Sequence, residues 1–97
     1  MAAYLVATVR ISDPVRFVDY AKAIAGLSER FGGDYIARGK VAEVLEGDSD
    51  PDERVVVSRF PDAASARAYI ASPEYRAGAA LRAGAATVEM RLLVDPD

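Results

Sequence analysis

The chain contains no cysteine, no histidine and no tryptophan. Those absences exclude disulfides, thiolate nucleophiles, imidazole bases and metal sites built from Cys and His. A Ser-His-Asp relay is excluded with them. No apolar run approaches the roughly 20 residues of a membrane-spanning helix. Met1-Ala2-Ala3-Tyr4-Leu5-Val6 has no basic region and no cleavage site before it enters a strand pattern. The expectation is a cytoplasmic protein without a signal peptide. Neither a G-x-G-x-x-G nor a Walker motif is present, so no phosphate-cradling loop is read. The 12 Lys and Arg against 15 Asp and Glu leave a net charge of −3, which argues against non-specific nucleic-acid binding.

What remains is 97 residues, 52% of them hydrophobic and 28% charged. This is an ordinary globular balance and enough chain for a single domain, 1–97, with one core. From Tyr4 to Ile11 the odd positions Leu5, Ala7, Val9 and Ile11 are apolar and the even ones mixed, the mark of a strand with one covered face. Asp13 then suits a helix N-cap and Pro14 the first helical position. Phe17, Tyr20, Ala21, Ile24, Leu27 and Phe31 recur at helical spacing. Gly32-Gly33 closes a helix of about 18 residues, some 27 Å long.

Asp34 to Arg38 and Val41 to Glu46 read as short strands around Gly39-Lys40. They form either a hairpin with a type II′ turn or one kinked strand. An acidic loop, Gly47 to Glu53, precedes a strand from Arg54 to Phe60 that Pro61-Asp62 breaks. A helix follows from Ala63 to about Ala71. Ser72-Pro73 restarts a helix that runs to about Gly84, with Ser72 as N-cap. Thr87 to Val94 is the last strand, and Asp95-Pro96-Asp97 a tail. The order predicts an α+β ferredoxin-like βαββαβ sandwich, with helices on one face of an antiparallel sheet.

The other face then carries Tyr4, Val6, Thr8 and Arg10, with Val55, Val57 and Arg59, and Thr87, Glu89, Arg91 and Leu93. Ile36, Arg38, Val41, Glu43 and Leu45 join them if Gly39-Lys40 is a tight turn. So apolar a face calls for a cover, and a second copy of itself in a two-fold homodimer is the simplest one. Its charges admit two readings. Arg10, Arg38 and Arg59 could face an anionic or carbonyl ligand in a pocket. Alternatively they form interface salt bridges, such as Arg38 with Glu43.

Other groups weigh less. The run Asp48-Ser49-Asp50-Pro51-Asp52 starts like a calcium loop, but the positions that need Gly and Glu hold Glu53 and Arg59, so no metal is expected. Glu43, Glu46 and Glu89 are the carboxylates that could do acid–base work. Tyr20, Tyr69 and Tyr75 sit at core spacings, where a packing role outweighs proton donation.

Four segments carry a family resemblance. Arg30-Phe31-Gly32-Gly33-Asp34-Tyr35-Ile36-Ala37-Arg38-Gly39 is similar to an R-[YF]-G-G-x-[YF]-hydrophobic-x-R-G pattern. Glu43-Val44-Leu45-Glu46-Gly47-Asp48 resembles the strand that follows it. Arg59-Phe60-Pro61-Asp62 resembles a break with Phe-Pro at its centre, and Ser72-Pro73-Glu74-Tyr75-Arg76 matches an S-P-E-Y helix start. Together they resemble domain of unknown function 1330, of the dimeric α+β barrel group. The resemblance implies a dimer of ferredoxin-like subunits and no established activity. Arg59 departs from the acidic residue that usually precedes Phe-Pro, Lys40 from a common second Gly, and Ser49 from a common aromatic. In the wider group, haem-degrading relatives need an axial histidine that this chain lacks.

The reading is an uncharacterised homodimer with a small-molecule pocket and no cofactor. Arg38 is the leading ligand-binding residue, followed by Arg59, Glu43, Glu46, Tyr20 and Arg10. The alternative is a cofactor-independent, monooxygenase-like enzyme acting on an aromatic or quinol-type substrate. A third reading is a structural dimer that partners another protein through its helices.

Overall fold

The computed structural model describes residues 1–95, so the tail beyond Asp95 lies outside the described residues. The strands are β1 (Ala3–Ile11), β2 (Asp34–Lys40), β3 (Arg54–Phe60) and β4 (Ala86–Val94). The helices are α1 (Pro14–Ile24), α2 (Ala63–Ala71) and α3 (Pro73–Ala80). The sheet order is β2-β3-β1-β4, and every neighbouring pair is antiparallel. This is the ferredoxin-like arrangement that the element order predicts.

Register sorts the two faces. Leu5 lies between Ser58 and Leu92, Ala7 between Val56 and Met90, and Val9 between Arg54 and Val88. These residues share the face under the helices. On the opposite face Val6 lies between Val57 and Arg91, and Thr8 between Val55 and Glu89. The alternation expected of β1, β3 and β4 is therefore observed. The core gathers Leu5, Leu27, Phe60, Ala66, Tyr69 and Tyr75. Tyr69 is its hub, with the rings of Phe60, Phe31 and Tyr75 centred 5.8, 5.9 and 4.9 Å away.

The helix starts follow from capping chemistry. The Arg16 and Ser65 backbone N–H groups donate to Asp13 Oδ1 (3.2 Å) and Asp62 Oδ1 (2.7 Å). The Tyr75 N–H donates to Ser72 Oγ (3.2 Å), and that hydroxyl donates to the Tyr69 carbonyl (2.7 Å). Each cap satisfies a backbone donor that the first turn leaves free.

Three expectations need correction. The helix after Asp13 ends at Ile24 instead of Phe31, because Gly26 takes φ 74° and turns the chain. A separate 3-10 turn over Ser28–Phe31, capped by Gly32, follows. Leu27 stays buried and Phe31 half-buried, so the apolar spacing continues across the break and conceals it in the sequence. The last helix likewise ends at Ala80, short of Gly84.

The segment Val41 to Glu46 is not a strand. Gly39 has no positive φ, which a type II′ turn would require at its first central position. β2 instead runs straight through Gly39 and Lys40, and one further rung, Val41 N–H to the Glu53 carbonyl (2.9 Å), ends the pairing.

The third correction has the largest consequence. The β2–β3 register shifts between Tyr35 and Ala37, leaving Ile36 as the extra residue of a bulge. Beyond it Arg38 pairs with Val56 and Lys40 with Arg54, both on the helix side of the sheet. Arg38 therefore does not lie on the helix-free face, and Ile36, Glu43 and Leu45 do not form a second strand pair there.

Helix α1 takes α3 as its closest packing partner. A Cβ built on Gly78 would sit 2.7 Å from Ile24 Cγ2, so any larger residue would force Ile24 or the helices to shift. Gly78→Ala gains about 1 kcal/mol of helix propensity but overpacks at a cost of about 1–3 kcal/mol. A net loss of about 1 kcal/mol is expected in urea unfolding. A stabilised variant would show that α1 can retreat without penalty.

Candidate functional site

Because α1 rests on α3, a cavity of about 760 Å3 stays open between α1 and the sheet. That volume is in the usual range for small-molecule sites. Its floor is the apolar row of the sheet, with Ala7, Val9, Val56, Val88 and Met90. Its roof is the inner side of α1, with Phe17, Tyr20, Ala21 and Ile24. Every residue of β2 is exposed, so the β2 side of the cavity opens to water.

The bulge supplies this open side with chemistry. Residues three apart in a regular strand point to opposite faces. With the extra residue between them, Tyr35 and Arg38 both line the cavity, and the Arg38 guanidinium lies 4.8 Å from the centre of the Tyr35 ring. Stacking of this kind holds a guanidinium while leaving its edge donors free. Lys40 and Arg54 line the same side, and Glu29 is the carboxylate that joins them in the wall.

The inner wall differs. Tyr20 and Tyr75 line the cavity, and Arg82 lies behind them, with its guanidinium 5.0 and 5.8 Å from their ring centres. Arg82 Nη1 donates to Tyr75 Oη at 2.9 Å. Burial, and then the neighbouring Tyr75 hydroxyl, pushes the Tyr20 pKa well above its ordinary value. Burial does the same to Tyr69. Both hydroxyls stay protonated at neutral pH and are donors there, not bases.

The residues singled out from the sequence separate into two groups. Arg38 and Tyr20 line the cavity, on opposite sides of it. Arg10 is on the helix-free face, where its Nε and Nη2 donate to Glu53 Oε1 at 3.0 and 2.8 Å and Asp50 lies 3.5 Å away. It raises no further question, because an intramolecular carboxylate already answers its charge. Arg59 is exposed on that same face, between Tyr4 and Asp34 in register. Glu43 and Glu46 are exposed on the segment after β2. None of these four lines the cavity, and the pair imagined between Arg38 and Glu43 is not formed among the described residues. Tyr35, Lys40, Arg54 and Arg82 were missed. Alternation alone places Arg54 under the helices, opposite Val9, and Tyr35 on the same side, whereas Arg38 and Lys40 reach it only through the bulge.

Fold and cavity together define a ferredoxin-like α+β protein with an internal pocket between helix and sheet. The chain belongs to the family described as Domain of unknown function (DUF1330), whose model matches residues 2–95. Among curated proteins none matches it. It is similar in structure to a protein of unknown function from Rhodopseudomonas palustris (TM-score 0.75, 22% identity, covering 98% of this chain and 84% of that one). A dimeric ferredoxin-like protein of unknown function from Jannaschia sp. CCS1 is also similar (TM-score 0.73, 15% identity, 98% and 100% covered). So is SnoaB, a cofactor-independent oxygenase from Streptomyces nogalater (TM-score 0.67, 16% identity, 99% and 94% covered). At these identities the likeness is one of fold. No helix among the described residues is long and apolar enough to cross a membrane.

The buried hydroxyls give a pH prediction. An unfolded tyrosine ionises near pH 10.0, whereas Tyr20 and Tyr69 hold their protons to higher pH in the fold. The native state therefore binds more protons above pH 10.0, and the stability carried by these hydroxyls, complete below that pH, is lost as pH rises past it. Absorbance titration should show Tyr20 and Tyr69 ionising only as the protein unfolds. Their ionisation in the folded protein would contradict the packing described.

Proposed function

We propose that this protein binds a small, largely apolar molecule in the cavity between α1 and the sheet, and that it does so as a homodimer. The observation that carries the binding reading is the cavity itself, roofed by Phe17 and Ala21 and floored by Val56 and Met90. An apolar floor and roof held apart and reached by solvent from the β2 side have the form of a small-molecule site.

The dimer reading rests on the helix-free face. Val6, Val55 and Val57 are only half-buried there, and Leu93 is 49% exposed at its edge. A second copy covers this patch by two-fold symmetry. The description of the Jannaschia protein as dimeric supports the same arrangement.

The oxygenase reading rests on likeness of fold to SnoaB and is not favoured. At 16% identity that likeness carries the fold and no chemistry.

Native mass spectrometry of the freshly purified protein tests both parts. The expected result is a dimer carrying the mass of a retained small molecule. Ala21→Trp, which fills the roof side of the cavity, should remove the extra mass and leave the dimer intact. A monomer would contradict the pairing of open faces. A dimer that neither retains a molecule nor takes up the uncharged probe phenylnaphthylamine would contradict the pocket.

A further inference from the structure

We propose that the ligand of this cavity is an anion, its acidic group held at the β2 side by Arg38, Lys40 and Arg54; this rests on the binding reading above. The three cations line the cavity together, against the single carboxylate of Glu29. They gather on one wall of a chain whose net charge is −3.

The register makes the grouping costly. Lys40 and Arg54 are direct cross-strand partners, and Arg38 follows two residues before Lys40 on the same side. Like charges placed directly opposite each other in a sheet destabilise it. Neither Arg38 nor Arg54 forms an ion pair among the described residues, and Lys40 meets only Asp52, at 3.9 Å with that carboxylate 87% exposed. Arg10, by contrast, has its positive charge answered by Glu53 and Asp50 on the other face. An acidic group entering the cavity mouth would relieve the repulsion.

The shape of the site narrows the ligand class. Arg38 is oriented by the Tyr35 ring, 4.8 Å from its centre, and a planar guanidinium fork matches a carboxylate, sulfonate or phosphate edge. Inward from these cations the wall is aliphatic and aromatic. The molecule that fits has an apolar body, aromatic or aliphatic. Its acidic group sits at one end and points outward.

The test uses a matched pair of probes, anilinonaphthalenesulfonate and its uncharged parent phenylnaphthylamine, in fluorescence titrations at low salt. The expected result is that both bind and that the sulfonate binds about tenfold more tightly, a difference of about 1.4 kcal/mol. The preference should shrink as salt is raised. It should also disappear in the triple variant Arg38→Gln, Lys40→Gln, Arg54→Gln, read as the ratio of the two probes' affinities. Arg54→Gln alone should lower it severalfold, which keeps the test valid if the triple variant does not fold. Arg67→Gln, on the exposed side of α2, should leave it as it was. Equal binding of the two probes to the unmodified protein would overturn the proposal and leave the pocket standing. A sulfonate preference that survives in Arg54→Gln and the triple variant would overturn it too. If neither probe binds, the binding reading fails and this inference fails with it.

Discussion

The structure depends on how α1 is supported. In a helix-over-sheet sandwich the helix normally buries its apolar stripe directly on the strands. Here α1 is held sideways by α3, where Gly78 admits Ile24 and where Tyr20 and Tyr75 share Arg82. The aromatic hub around Tyr69 anchors α2 and the 3-10 turn to β3 at one end of the sheet. The middle of the sheet is left without a close cover. A layer of apolar side chains on β1, β3 and β4 thus becomes a cavity floor instead of a sealed core.

A second constraint acts at the sheet edge. One extra residue in β2 turns the strand past Ile36 and moves Arg38 and Lys40 to the cavity side. Without the bulge the parity of the strand would send Arg38 to the helix-free face, where Arg10, Arg59 and Arg91 already lie. The bulge thus decides which arginine serves which face. Arg10 is neutralised by Glu53 and Asp50, while Arg38 is left with an aromatic ring and an open approach.

Much of this was legible in the sequence. The odd positions of β1 and the even positions of β4 give their faces directly, because strand side chains alternate and register preserves the alternation. Asp13, Pro14, Ser72 and Pro73 mark helix starts by chemistry that is local to a few residues. Two features were hidden, for different reasons. Gly26 breaks the helix inside an apolar pattern that continues in phase through Leu27 and Phe31, so periodicity carries no sign of the turn. The bulge at Ile36 is a property of two strands together, since the extra residue exists only relative to β3. Arg38, singled out as a ligand-binding residue by its place in the family pattern, was assigned to the helix-free face by simple alternation, and the bulge puts it on the cavity side instead. Tyr20 was read both as a packing residue and as a lesser ligand-binding candidate; it is buried, and its ring also forms part of the cavity wall.

The central claim is that the space between α1 and the sheet, not the helix-free face, is where a small molecule binds. Methyl-resolved NMR with phenylnaphthylamine tests it most directly. The account predicts intermolecular contacts from the probe to the methyl groups of Ala7, Ala21, Val56 and Met90. Contacts confined to Val6, Val55 and Val57 would contradict it and move the binding surface to the other side of the sheet.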